Sequence, residues 1–216
     1  MRPSLIIFDC DGVLIDSEVI ACRLLAEALA REGYPISPQE TTSRFAGISS
    51  RAILQQVERE LGRPLSADFE AVSRQHLHTT FERELRAVAG IHAALDAIDI
   101  PVCVASGSAP DRLEVSLRVT GLSARFGQNV FSAVTVGRGK PAPDLFLFAS
   151  RQMGTEPERC LVIEDSIPGV QAAVAAGMFV LGFCGASHCT PHPPGAPAPP
   201  PCARRWLRQY RAARSR

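Results

Sequence analysis

Residues 5–18 read LIIFDCDGVLIDSE. The apolar run Leu5, Ile6, Ile7 and Phe8 has the length and composition of a buried strand. It ends in two carboxylates two positions apart, Asp9 and Asp11. Side chains alternate along a strand, so while strand geometry persists the two acids face one small volume. Like charges placed in this way repel each other, and the pair is costly unless a cation or a shared proton compensates it.

Outward from this stretch, five apolar segments read as strands, roughly 4–8, 101–105, 130–136, 160–164 and 179–183. Helical spacing fills 110–120, 143–153 and 167–176, each closed by a glycine: Gly121, Gly154 and Gly177. Strand and helix in alternation predict an α/β fold, a doubly wound parallel sheet covered on both faces. Ligands of such sheets sit at the carboxyl ends of the strands.

One connection is too long for a simple crossover, because about 90 residues separate the first two strands. Only helical patterns occupy that interval. One runs from Ser17 to Gly33; another starts at Ser37, with Pro38 in its first turn and Glu40 completing an S-x-x-E capping box. A third ends at Gly62, and a fourth is predicted from about Ser66 to Val88. The expected organisation is a core of 1–16 and 87–187, an inserted helical domain at 17–86 placed like a lid over the strand ends, and a distinct tail at 188–216.

Composition is that of a globular protein, with 46% hydrophobic and 21% charged residues. No apolar run is long enough to span a membrane, and Asp9 interrupts the N-terminal apolar stretch too early for a signal peptide. A cytoplasmic monomer with no membrane partner is expected. The seven cysteines are scattered without a C-x-x-C pair and read as reduced core residues. The net charge of +1 conceals an asymmetry: residues 188–216 hold six arginines and no acid, leaving 17 basic against 22 acidic residues elsewhere.

Polar residues from four strand ends converge. The first strand gives Asp9 and Asp11, the second Ser106, and the fourth Glu164 and Asp165; RGKPAPD after the third brings Lys140. Lys140 is the sole lysine beside 22 arginines. A chain so biased towards arginine keeps a compact ammonium only here, where a planar fork is not equivalent. Several carboxylates in one pocket suit a hard divalent cation with oxygen ligands, and Mg²⁺ fits a site that also binds phosphate. Asp9 can then attack an anionic electrophile, because Mg²⁺ and Lys140 offset the repulsion. Asp11, two positions on, can serve as acid for the leaving oxygen and then as base for water.

These residues resemble a family. D-x-D-G-V-L-x-D-S at 9–17, Ser106, G-K-P-A-P-D at 139–144 and E-D-S at 164–166 are similar to the haloacid dehalogenase superfamily, whose core is Rossmann-like. The likeness is to its small-capped phosphatases of the β-phosphoglucomutase, phosphoglycolate phosphatase and 6-phosphogluconate phosphatase type, over about residues 4–187. The resemblance implies Asp9 as nucleophile, forming an aspartyl-phosphate, and Asp11 as acid and base. Ser106, with Gly107 beside it, and Lys140 would bind the phosphoryl group. Asp9, the main-chain carbonyl of Asp11, Glu164 and Asp165 would hold Mg²⁺. The inserted helices would be the family's α-helical cap, with Gly47 and Arg51 of FAGISSR as its substrate-binding residues.

The implied function is Mg²⁺-dependent hydrolysis of a small phosphorylated sugar or sugar acid. Mutases of the group carry a histidine and a lysine where Ala21 and Ala46 stand here, and true dehalogenases lack the acid at Asp11. A phosphosugar mutase and a catalytically inactive metabolite-binding protein are the alternatives. The tail, HCTPHPPGAPAPPPCARRWLRQYRAARSR, has no legible periodicity. Cys184, ahead of the tail, with His188, Cys189 and His192 inside it fits no zinc pattern, and the tail's arginines flank Trp206 and Tyr210 with no basic face elsewhere to support nucleic-acid binding. It is expected to be disordered, the product of a reading frame shifted near residue 190.

Overall fold

The computed structural model describes residues 2–187, apart from 46, 47 and 49. The tail, with its expected disorder and its Cys/His and Arg/Trp clusters, lies outside the described residues, as does Gly47. Two compact units emerge, one of the chain before Ser17 and after Leu85, the other of Ser17–Leu85. In chain order the elements are β1 (Leu5–Phe8), α1 (Glu18–Arg31), α2 (Pro38–Phe45), α3 (Ser50–Leu61), α4 (Phe69–Glu84) and α5 (Ile91–Asp96). There follow β2 (Val102–Ser106), α6 (Pro110–Val119), α7 (Ser123–Phe126), β3 (Val130–Ser132), α8 (Ala133–Val136) and α9 (Asp144–Gln152). The last three are β4 (Cys160–Glu164), α10 (Ile167–Ala175) and β5 (Phe179–Gly182).

The strands form one parallel sheet in the order β3-β2-β1-β4-β5. Phe8 stands beside Val104 on one side and Ile163 on the other. The chain order turns outward in both directions from β1, so the crevice at the carboxyl ends of β1, β2 and β4 is the switch point where such sheets bind ligands. Alternation divides the sheet's side chains between two layers. On one face Leu5, Ile7, Cys103, Ala105, Cys160 and Val162 pack with Leu145, Phe146 and Ala149 of α9 and Ala172 and Ala173 of α10. On the other, Phe8 meets Phe126 of α7 edge to face, with ring centroids 6.2 Å apart. A central strand buried on both faces has no polar alternation, which is why β1 reads as a continuous apolar run.

The Ser17–Leu85 unit is helical and has its own core, in which Ala28, Leu29, Phe45, Ile53, Val57 and Phe69 cluster. The capping box forms as its sequence requires: Ser37 N–H donates to Glu40 Oε2 at 2.9 Å and Glu40 N–H to Ser37 Oγ at 3.2 Å. Among the described residues no helix is long and apolar enough to cross a membrane, and Cys10, Cys22, Cys103, Cys160 and Cys184 are free thiols.

Two elements differ from their sequence expectation. The run 130–136 is β-branched enough to read as one strand, but only Val130–Ser132 pairs. The Ser132 hydroxyl accepts from Val134 N–H and starts the short helix α8, so a cap overrides strand propensity. The helix expected to reach Val88 ends at Glu84, because Leu85 turns extended with ψ 137°. Residues 86–88 then pair with 14–16: Asp16 N–H donates to Arg86 O at 3.0 Å and Val88 N–H to Leu14 O at 2.9 Å. Those bonds join residues some 70 apart in sequence, beyond the reach of local periodicity.

Phe126 is 2% exposed and covers one face of the sheet. Phe126→Ala should cost about 3–5 kcal/mol of stability, read as a lower denaturation midpoint. A loss below about 1 kcal/mol would mean that α7 adds little to that layer.

Candidate active site

Asp9 directly follows β1, and its N–H donates to Ile163 O at 2.9 Å, so the ladder carries it one step past the strand. Glu164 closes the neighbouring strand β4 and is fully buried. Lys140, from the loop between α8 and α9, lies between the two: its Nζ donates to Asp9 Oδ1 at 2.5 Å and to Glu164 Oε2 at 2.6 Å. Its ammonium also lies over the Phe146 ring, 5.1 Å from the centroid. Asp165 completes the group, and one carboxylate oxygen from each of Asp9, Glu164 and Asp165 lies within 4.8 Å of the others.

Burial pushes the Asp9 carboxyl well above the usual carboxylate range, and the Glu164 charge adds to this. Lys140 pulls the other way, while Asp165 and Asp11 contribute further repulsion. For Lys140, burial alone would favour losing the proton, yet the charges and hydrogen bonds of Asp9 and Glu164 outweigh it and raise its pKa. One ammonium among three acids leaves the cluster net negative. Its donors are all oxygens, the set a hard divalent cation takes. A second cation here would favour the ionised form of Asp9.

Asp11 has partners of its own. Strand geometry does not persist past Asp9: Gly12 takes a positive φ of 76°, and the Cys10 carbonyl accepts from the N–H groups of Val13, Leu14 and Ile15. The Asp11 charge still adds to the repulsion felt by Asp9. The Asp11 carboxylate accepts from Ser108 Oγ at 2.6 Å on Oδ2 and from Arg112 Nη2 at 2.5 Å on Oδ1. Ser106, at the end of β2, is buried, and its Oγ accepts from Ser108 N–H at 3.1 Å, with Gly107 between them. Arg51 stands exposed in the first turn of α3, in the helical unit.

The haloacid dehalogenase-like hydrolase family matches this chain over residues 3–177. The chain belongs to that family. The 6-phosphogluconate phosphatase of Escherichia coli is 34% identical over 195 residues, covering 89% of this chain and 88% of that protein. A haloacid dehalogenase-like protein of unknown function from Agrobacterium tumefaciens is 45% identical, with a TM-score of 0.76 over 87% of this chain and 86% of that one. A hydrolase of the same family from Deinococcus radiodurans, solved with bound phosphate and sodium, is 32% identical with a TM-score of 0.67, over 96% and 88% of the two chains. This haloacid dehalogenase-like hydrolase thus has a named phosphatase among its relatives.

Four residues of the site were not singled out from sequence: Ser108, Arg112, Ser166 and Gly169. Ser166 caps α10, accepting from Gly169 N–H at 3.1 Å, and its N–H and Oγ both donate to Glu164 Oε1 at 3.0 and 2.7 Å. Serine caps are common, so its second duty has no local signature. Gly169 does leave one, since a glycine inside a helical pattern costs about 1 kcal/mol against alanine and needs a reason. Here a Cβ would overlap the Glu164 carboxylate. Gly169→Ala should therefore lower the melting temperature, although alanine is the better helix former. A gain of about 1 kcal/mol, as propensity alone gives, would mean that Glu164 can move aside freely.

Proposed function

We infer that this hydrolase is a Mg²⁺-dependent phosphatase that removes the phosphoryl group from a small phosphorylated sugar or sugar acid through an aspartyl-phosphate on Asp9. The observation that carries this reading is the Lys140 ammonium set between Asp9 and Glu164 at 2.5 and 2.6 Å, within a cluster of three acids. An anionic substrate approaches a carboxylate nucleophile only where cations offset the charge, and this is where the chain spends its only lysine. The 6-phosphogluconate phosphatase relative supports the substrate class, and the phosphate bound in the Deinococcus relative supports the chemistry.

In the first step an Asp9 oxygen attacks phosphorus, the bond to the leaving oxygen breaks, and Asp11 delivers a proton to that oxygen. In the second, water attacks phosphorus, the bond to Asp9 breaks, and Asp11 takes the water's proton, so the enzyme is restored. Ser106, with Gly107, and Lys140 hold the phosphoryl oxygens. Mg²⁺, held by Asp9, the Asp11 main-chain carbonyl, Glu164 and Asp165, would supply the positive charge that stabilises the transferring group. Gly47 and Arg51 would recognise the rest of the substrate, Arg51 favouring a second anionic group. Ala21 and Ala46, where mutases carry histidine and lysine, favour hydrolysis over transfer back to a sugar.

Phosphate release measured across a panel of sugar and sugar-acid phosphates tests the proposal. Turnover is expected with Mg²⁺, lost on chelation and restored by adding the ion back. Asp9→Asn, nearly isosteric, should leave no turnover above background with the fold intact. Activity of that variant within about tenfold of wild type would exclude Asp9 as the nucleophile.

A further inference from the structure

Arg112 has no assigned part in the chemistry above, and its place is unusual. Pro110 occupies the start of α6, which puts Arg112 in the helix's first turn. A cation there opposes the helix dipole, an unfavourable local choice that needs compensation from outside the helix. The compensation is Asp11: Arg112 Nη2 lies 2.5 Å from Oδ1, with side-chain exposures of only 22% and 15%. A half-buried, charge-assisted bond of this length is stronger than a surface ion pair.

The two Asp11 oxygens are held by chemically different donors. A guanidinium can only donate and keeps its protons, so Oδ1 must remain an acceptor while Arg112 is in place. The Ser108 hydroxyl on Oδ2 can donate or accept, so it tolerates that oxygen both bare and protonated. Ser108 is itself fixed, since its carbonyl accepts from Ser132 Oγ at 2.7 Å and its N–H donates to Ser106 Oγ. We propose that Arg112 is a positioning residue that anchors Oδ1 of Asp11 and so assigns the transferred proton to Oδ2. This rests on the reading of Asp11 as acid and base.

The test is a double-mutant comparison of Asp11→Ala, Arg112→Ala and the pair, with far-UV circular dichroism as the check on folding. Two substrates are used: the best sugar phosphate from the panel, and 4-nitrophenyl phosphate, whose leaving group needs little protonation. Arg112→Ala should lower kcat on the sugar phosphate about tenfold or more, with KM within about threefold. Its loss on the aromatic ester should be clearly smaller. Added to Asp11→Ala, it should change the rate by no more than about twofold, because its effect passes through the group already removed. Arg112→Lys, which keeps a cation but not the fork, should recover part of the rate and serves if the alanine variant does not fold. Additive losses in the pair, equal losses on both substrates, or a raised KM at unchanged kcat would overturn the proposal. Wild-type turnover by Asp11→Ala alone would overturn the acid–base reading beneath it.

Discussion

The buried ammonium of Lys140 is the contact on which the strand ends depend. Asp9 is 6% exposed and Glu164 fully buried, so each carboxylate has lost most of its water. Their nearest common charge is Nζ, bonded to both. Removing one partner from a buried ion pair typically costs about 3–5 kcal/mol, since the other is left uncompensated. The same arrangement is costly to keep, because hydrophobic packing in its place is often as stable. Its presence at the sheet's switch point, rather than an apolar plug, points to chemistry as its reason.

The rest of the core is arranged around that contact. Phe146, part of the apolar layer beneath the sheet, also floors the ammonium. Ser166 joins a helix cap to the Glu164 carboxylate, and Gly169 leaves the volume that the carboxylate fills. Packing and electrostatics are thus carried by the same residues, and a change to the α10 amino terminus reaches the acid cluster directly. Asp11 belongs to a neighbouring network of its own, made by α6 and the serines at the ends of β2 and β3.

Much of this was legible in sequence because the signals were local. The continuous apolar runs of β1, β2 and β4 mark strands buried on both faces, and each helix after β2 carries its own glycine stop. Asp9, Ser106, Lys140, Glu164 and Asp165 follow from where those strands end. What escaped depends on tertiary contact. The break of strand geometry after Asp9 is set by Gly12 and by three N–H groups sharing the Cys10 carbonyl. The partner of Asp11 comes from about 100 residues along the chain, a separation that no periodicity reports. Arg112 and Gly169 nonetheless broke local rules, one as a cation in a first helical turn and the other as a glycine within a helix. Both exceptions mark the site.

The acid cluster is the part of this picture open to the most direct measurement. Titrating Mg²⁺ into the protein by calorimetry, without substrate, reports whether Asp9, Glu164 and Asp165 form a cation site. Saturable binding of one ion is expected, and it should be lost or strongly weakened in Asp165→Asn, which removes one charge while keeping the side chain's size. Binding of equal affinity in that variant, or none in the wild-type protein, would contradict the assignment of the cluster to a metal.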